Sequence, residues 1–300
     1  MPKGITTATN LMGVVGYGFP KVAKVQADVQ IMFERIYDRY DIDAAYFLFN
    51  IAPDNLRTFV DFAKASGMLG FGVTMPHKTS MVNLVDDMTD YCKLTNAVNL
   101  VVIRDGKTFG YNTDGTGFCG KWDRDGVSME GLNVVIIGAG SITATIAYEL
   151  SDRGAASFRI LNRTLDNAVQ KAGLIQKITG KPTTAAQLTN SNLDEAAKKA
   201  NVLVQAGSLG MMNFDGSITD FEYLGFIDHL PKDALVAEVV PFPLETTFLK
   251  KAMAAGHRTI DGADMICYQV PQTVRAYFGE EHNFDDDTIL KISLDTFKGS

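Results

Sequence analysis

The sequence predicts a two-domain α/β protein: an N-terminal α/β domain, then a second domain built on a doubly wound parallel sheet. Three observations carry this. Short apolar segments alternate with amphipathic ones through the first third of the chain, with brief connections. Beyond Gly131 a continuous apolar run, Asn133-Val-Val-Ile-Ile137, enters a glycine turn, and buried strands and helices alternate again as far as Gly262. The 300 residues are 46% hydrophobic and 21% charged, a globular composition at a length that suits two ordinary domains.

In chain order, the first strand is 11–16, closed by glycine. Val29, Ile31, Met32, Ile36 and Tyr37 lay an apolar stripe along a helix over 25–40. Strands over 45–51 and 70–74 flank a helix over 55–65, which Gly67 stops. A helix is expected over 79–87. Strands over 99–104 and 108–111 surround the turn Asp105-Gly106-Lys107. The second domain has strands over 133–141, 157–163, 202–208, 234–240 and 258–262. Its helices are expected over 142–153, 165–180 and 193–200. The tail reads as two helices. The first sheet has few helices of its own to cover it, so the tail is expected to return to it. Residues 1–115 with 262–300 then form one domain, and 116–261 the other.

Several functions are disfavoured at once. With 28 Lys and Arg against 35 Asp and Glu, the net charge is −7, and no basic run offers a nucleic-acid surface. Cys92, Cys119 and Cys267 lie far apart, without a C-x-x-C, so no metal or redox-dithiol site is expected and the thiols read as reduced in a cytoplasm. No apolar run approaches the roughly 20 residues of a membrane helix, and the N-terminus lacks the apolar core of a signal peptide. The expected partner is a small molecule, and the chain is expected to be a monomer or homodimer.

Gly138-Ala139-Gly140-Ser141-Ile142-Thr143 matches G-x-G-x-x-[G/A] except at its last place, and it sits between a strand and a helix as a dinucleotide site requires. Gly138 allows a tight turn. Gly140 lets a pyrophosphate approach the helix N-terminus, where free N–H groups favour anions. The second strand ends in Asn162-Arg163-Thr164, where an NAD site usually has a carboxylate. Arg163 offers a planar cation to a 2′-phosphate, and Thr164 a hydroxyl for that phosphate or for the next helix cap. NADP is therefore favoured. Asp166 keeps NAD open, although a carboxylate there also suits the first turn of its own helix.

Val73-Thr-Met-Pro-His-Lys-Thr-Ser80 sets a lysine where a buried strand stops. Alone, Lys78 reads as a surface charge and Asp114, in Asn112-Thr-Asp-Gly115, as a turn former. Together with their surroundings they resemble the shikimate/quinate dehydrogenase family. Gly70 to Lys78 is similar to its G-x-N-V-T-x-P-x-K, Asn96 to Asn99 to G-A-V-N-T, and Gly110 to Gly115 to G-x-N-T-D. Gln205 to Met211, Pro243 to Thr246 and Asp261 to Gln269 continue the series in order over nearly the whole chain.

The resemblance implies an NAD(P)-dependent oxidoreductase of aromatic amino acid biosynthesis type. Hydride would pass between a nicotinamide C4 and a ring carbinol carbon, with Lys78 and Asp114 handling the proton. It places Thr74, Asn99 and Gln269 on the substrate. It places Gly138, Ala139, Gly140, Ser141, Asn162, Arg163, Thr164, Gly207 and Met265 on the cofactor. The chemistry agrees, because removing hydride from a carbinol carbon requires simultaneous loss of the hydroxyl proton.

Departures from the family pattern gather on substrate recognition. Val22 and Lys24 stand where two carboxylate-gripping hydroxyls belong, Gly72 replaces the asparagine of G-x-N-V-T, and Pro241 replaces a tyrosine. Asn167 replaces a cation beyond Arg163. A site built on hydrogen bonds discriminates by about 10⁴ against mismatched ligands. The expected substrate is therefore a different shikimate-, quinate- or cyclitol-like ring, in a roomier pocket where Lys21 or Lys24 supplies a point charge. Two rivals remain. A methylene-tetrahydrofolate dehydrogenase shares the architecture but not the N-T-D-G and D-G-x-x-M-x-x-Q motifs. A dinucleotide-binding regulator that has lost turnover would fit the depleted pocket but has no use for Lys78 with Asp114.

Overall fold

The structure, a computed structural model, describes residues 10–18, 24–213, 215–279 and 282–299. It divides into two compact units, Met1–Thr113 with Val270–Ser300, and Asp114–Gln269.

The first unit contains β1 (Asn10–Gly16), α1 (Lys24–Arg39), β2 (Ala44–Asn50), α2 (Leu56–Ala65), β3 (Gly70–Val73), α3 (Lys78–Met81), β4 (Asp87–Met88), α4 (Asp90–Thr95), β5 (Leu100–Arg104) and β6 (Lys107–Tyr111). Its six strands lie in the order β2-β1-β3-β5-β6-β4. The pairs β1/β2, β1/β3 and β4/β6 are parallel, and β3/β5 and β5/β6 antiparallel. Alternation along the strands sorts the side chains between the faces. Val15, Phe71, Val73, Val101 and Ile103 meet Leu56, Phe59, Val60 and Ala63 of α2. On the opposite face Tyr46 stacks on Phe33 of α1, with ring centroids 4.3 Å apart, and Tyr37 of α1 reaches Met12 of β1 with its hydroxyl.

The second unit opens with α5 (Asp114–Arg124). It continues through β7 (Asn133–Ile137), α6 (Ser141–Asp152), β8 (Ser157–Asn162), α7 (Leu165–Thr179), β9 (Thr183–Gln187), α8 (Asn190–Ala197), β10 (Val202–Gln205), β11 (Leu235–Glu238), α9 (Thr247–Ala254) and β12 (Arg258–Ile260). Its sheet runs β12-β11-β10-β7-β8-β9, every neighbour parallel. Apolar residues on both faces of β7 are buried: Val134 and Ile136 join the core with α5, α6 and α7, and Val135 and Ile137 the core with α8 and α9. This is the doubly wound arrangement the uninterrupted apolar strands require. Trp122 of α5 is 2% exposed and lies edge-on to Phe118, 5.3 Å away.

The tail forms α10 (Gly262–Phe278) and α11 (Asp286–Lys298). In the first unit, Arg35 of α1 donates to Thr296 of α11 at 3.0 Å. Arg104 donates to the last carbonyls of α10, Ala276 and Tyr277, filling acceptors that a helix end leaves open.

The structure departs from the sequence reading at 79–87. Only one helical turn forms, Lys78–Met81. Asp86 then takes the Thr108 N–H at 2.8 Å and hydroxyl at 2.9 Å, and Lys64 at 2.9 Å, which draws the chain to the sheet edge as β4. The same bonds, that from the Thr108 N–H foremost, hold the Asp86 carboxyl down at about 2. Helices α4, α5 and α9 and strand β9 form without having been predicted, and the helix expected at 193–200 starts at Asn190.

Replacing Trp122 by Ala empties the largest buried side chain beneath α5. The expected cost is about 3–5 kcal/mol of unfolding free energy. Urea denaturation of the full chain checks it, and a loss below about 1 kcal/mol would contradict the packing described.

Candidate active site

At the end of β3 the chain is held by its neighbours. Thr74 N–H donates to Val15 O at 2.9 Å, and His77 N–H returns to Thr74 O at 2.9 Å. The His77 ring, 1% exposed, sits with Nε2 2.8 Å from Ile51 O. Lys78 follows as the half-buried first residue of α3, and its carbonyl accepts the Val98 N–H at 3.0 Å. The lysine therefore stands on a backbone fixed at several points.

Asn99, 8% exposed, binds on every side. Its carbonyl accepts Val73 N–H at 2.7 Å and its N–H donates to Tyr111 O at 3.0 Å. Its side-chain oxygen accepts Thr113 N–H at 2.8 Å, while its amide nitrogen donates to the Thr113 hydroxyl at 2.9 Å. Lys78, through Val98, and Thr113, through Asn99, are thus tied to consecutive residues. Asp114 comes next, 2% exposed, as the first residue of α5.

Among the departures, Gly72 is half-buried, and a Cβ there would meet Val14 Cγ2 at 3.5 Å and both the Tyr46 hydroxyl and Val14 Cβ at 3.7 Å, all ordinary contacts. Val22 and Lys21 fall outside the described residues, as does the side chain of Lys24.

In the second unit the glycine turn divides its labour. Gly138 has φ +111°, and a Cβ on it would lie 2.8 Å from Gly207 N and 2.9 Å from Ala206 C. Its need is close approach of the β7 and β10 ends as much as a turn. At Gly140 a Cβ would meet nothing within 4 Å. Gly140 is the N-cap of α6, and no side chain caps that helix, so Gly140 and Ser141 present free space and backbone N–H groups suited to a pyrophosphate. Ala139 and Gly207 are half-buried beside them. Thr143, where a third glycine would stand, is fully buried and returns its hydroxyl to Gly138 O at 3.1 Å.

Arg163 and Thr164 are exposed after β8, and the Arg163 guanidinium makes no ion pair among the described residues. Thr164 is the N-cap of α7, but its side chain makes no cap bond, which leaves the hydroxyl for a ligand. Asn162 donates to Thr164 O at 2.9 Å and shapes this corner. These residues fit a 2′-phosphorylated dinucleotide. Met265, 6% exposed, packs into the core with Phe118 and Trp122. Gln269 is half-buried on α10, and a Cβ on Gly117 would come within 2.8 Å of its Cβ.

Sequence reading missed a buried pair. Glu238, at the end of β11, is fully buried, and the Thr246 hydroxyl lies 2.9 Å from both carboxyl oxygens. Thr246 also caps α9 through Leu249 N–H. Burial pushes the Glu238 carboxyl up to about 8, against the pull of Thr246. The spacing from Glu238 to Thr246 was the available signal, since a threonine opening a helix is a cap.

Residues 29–101 match the shikimate dehydrogenase substrate binding domain, and residues 123–211 match shikimate/quinate 5-dehydrogenase. The chain is 32% identical over 279 residues to the shikimate dehydrogenase (NADP(+)) of Alkaliphilus metalliredigens, covering 92% of this chain and 94% of that one. Among solved structures, the ligand-free 5-ketofructose reductase of Gluconobacter sp. strain CHM43 is similar at 29% identity, TM-score 0.77, with 97% and 99% of the two chains covered. A shikimate dehydrogenase solved with NADP+ is similar at 26% identity, TM-score 0.81, with 98% and 97% covered.

Two outcomes follow from this geometry. Arg163→Ala is expected to weaken NADPH binding about 10- to 100-fold, the worth of a charged hydrogen bond, and to leave NADH binding within about threefold. Fluorescence titration reads both, and equal loss for the two would contradict the phosphate role. Glu238 keeps a proton in the folded chain that the unfolded chain releases from about pH 4.5 upward. Stability should therefore fall between about pH 4.5 and 8, by at most about 1.4 kcal/mol per unit. Glu238→Gln is expected to flatten that slope in urea melts at several pH values, and an unchanged slope would contradict it.

Proposed function

The chain belongs to the shikimate/quinate dehydrogenase family of NAD(P)-dependent oxidoreductases acting on CH–OH groups, and on that premise we propose that it interconverts a polyhydroxylated ketone and its alcohol, with NADP as cofactor and a substrate other than shikimate. The observation that carries the substrate reading is Gly72. Where the family pattern has an amide, this chain has no side chain, and a Cβ there would stand in ordinary contact with Val14 and the Tyr46 phenol. Loss of an amide from a hydrogen-bonding site changes which ligand is satisfied. Likeness to a 5-ketofructose reductase supports an uncharged polyol or ketone, a cyclitol or sugar, over a carboxylate.

Each part of the chain has its task in this reading. Gly140, Ser141 and the α6 N-terminus receive the pyrophosphate, and Arg163 with Thr164 the 2′-phosphate. The bound cofactor supplies hydride chemistry at its nicotinamide C4. Lys78 holds the reacting oxygen with its ammonium group and passes the proton that must leave or join that oxygen. Asp114 is the carboxylate partner that orients the ammonium. Thr74, Asn99 and Gln269 bind the remaining hydroxyls, Asn99 from a side chain whose position Thr113 has already fixed. Holding these groups before the substrate arrives reduces the entropy lost in reaching the reactive geometry. The separate, buried thiols of Cys92, Cys119 and Cys267 fit a cytoplasmic enzyme.

The test is nicotinamide absorbance with shikimate, quinate, cyclitols and ketoses, each with NADP(H) and NAD(H). A cyclitol or ketose should be the best substrate, with NADP(H). Shikimate as the fastest substrate would overturn the substrate reading. Lys78→Ala should lower kcat by about 10²- to 10⁴-fold, the range for general acid–base groups, with NADPH binding unchanged. Retained kcat would overturn the lysine's role.

A further inference from the structure

Tyr46 is an odd core residue. It is 4% exposed, and its ring stacks on Phe33 with planes 8° apart. Its hydroxyl makes no hydrogen bond among the described residues, yet it is not sealed off, since Tyr277 Oη and not Tyr46 Oη is the fully buried unpaired atom among them. The same sheet face shows where that hydroxyl points. Met12 pairs with Tyr46 across β1 and β2, and α1 covers both. One rung further along, Val14, Leu48 and Gly72 are half-buried. The Tyr46 hydroxyl lies 3.7 Å from the place a Cβ on Gly72 would take, and Val14 Cγ2 lies 3.5 Å from it. The phenol therefore borders the place that the missing side chain would take. Phe at this position would keep the stack on Phe33 and lose no hydrogen bond to the protein.

We propose that Tyr46 is a specificity-determining residue, whose neutral hydroxyl bonds an uncharged hydroxyl or carbonyl oxygen of the substrate seated over Gly72. This rests on the functional reading above. The chemistry selects the ligand. Val14 and Leu48 offer no charge and no hydrogen bond, so a carboxylate there would lose its hydration for one phenol donor. An uncharged oxygen needs a single partner that both donates and accepts, which a phenol supplies. Burial raises the Tyr46 pKa well above the ordinary phenol range, so the donor stays protonated through neutral pH. Gly72 is part of the device, since any side chain there would stand between the hydroxyl and the ligand.

The experiment is calorimetric titration of the NADP+-loaded protein with a cyclitol, a ketose, shikimate and quinate, using wild type, Tyr46→Phe and Gly72→Asn. The melting temperature of each apo protein is recorded alongside. Wild type is expected to bind a cyclitol or ketose best. Tyr46→Phe should melt no lower than wild type and weaken that ligand about 10-fold or more, leaving shikimate unchanged. Against the ligand's deoxy analogue, the wild-type preference should collapse in Tyr46→Phe. Gly72→Asn, whose Cβ meets only ordinary contacts, should stay folded and lose the same ligand. Cyclitol or ketose binding within twofold of wild type in Tyr46→Phe would overturn the role of Tyr46 and leave the functional reading standing. Binding of shikimate alone by wild type would overturn both.

Discussion

The bonds made by Asn99 are the constraint on which the rest of the first unit's chemistry depends. Backbone bonds from this residue and its neighbour reach Val73, Tyr111 and Lys78, and its amide side chain closes on Thr113. One short segment thereby fixes the end of β3, the base of the lysine and the residue before Asp114. Asn99, Thr113 and Asp114 are all nearly or fully buried, so each of these bonds replaces one that water would make and costs stability if broken. A lysine side chain loses much rotamer freedom when it is held still. Anchoring its backbone and half-burying it meets part of that cost during folding, before any ligand is bound.

The second unit reaches similar fixity by close approach. Gly138 must be glycine because the peptide at 206–207 occupies the volume of a side chain. At Gly140 a Cβ would meet nothing within 4 Å, and in the proposed reading that free volume is where the ligand sits. Thr143 shows how the family fingerprint tolerates a substitution. The third glycine serves helix-to-strand packing, and a threonine can take that place when its hydroxyl is returned to Gly138 O within the buried turn. The Glu238–Thr246 pair joins the end of β11 to the start of α9, and it does so with a carboxyl that burial keeps neutral.

The strands were legible wherever both faces are buried. Val134 to Ile137 and Val202 to Val204 are apolar without interruption because helices cover them on two sides, and a continuous apolar run ending in glycine has few other readings. Strand β9 was not legible. Thr183 to Gln187 lies at the sheet edge and is at most half-buried, so little apolar patterning survives in it. Helices α4 and α9 are short, and their clearest signals are Thr89 and Thr246, single caps that could equally open turns. Helix α5 is hard to read because Gly115, Gly117 and Gly120 lower its propensity; Gly117 and Gly120 are needed where α10 approaches. The lysine motif and the glycine turn could be read from consecutive residues. Tyr46 could not, because its meaning lies in the relation of β2 to Gly72 on β3, which no local spacing encodes.

All of this places the Lys78 ammonium group on a fixed backbone, and chemical rescue tests most directly the proton-handling role proposed for it. Lys78→Ala should leave a cavity where a small primary amine can enter, with the Asn99 network undisturbed. The account expects added alkylamines to restore turnover, at rates that follow the acidity of the amine once size is allowed for. Wild-type turnover in Lys78→Ala without any amine, or rescue indifferent to amine acidity, would contradict it.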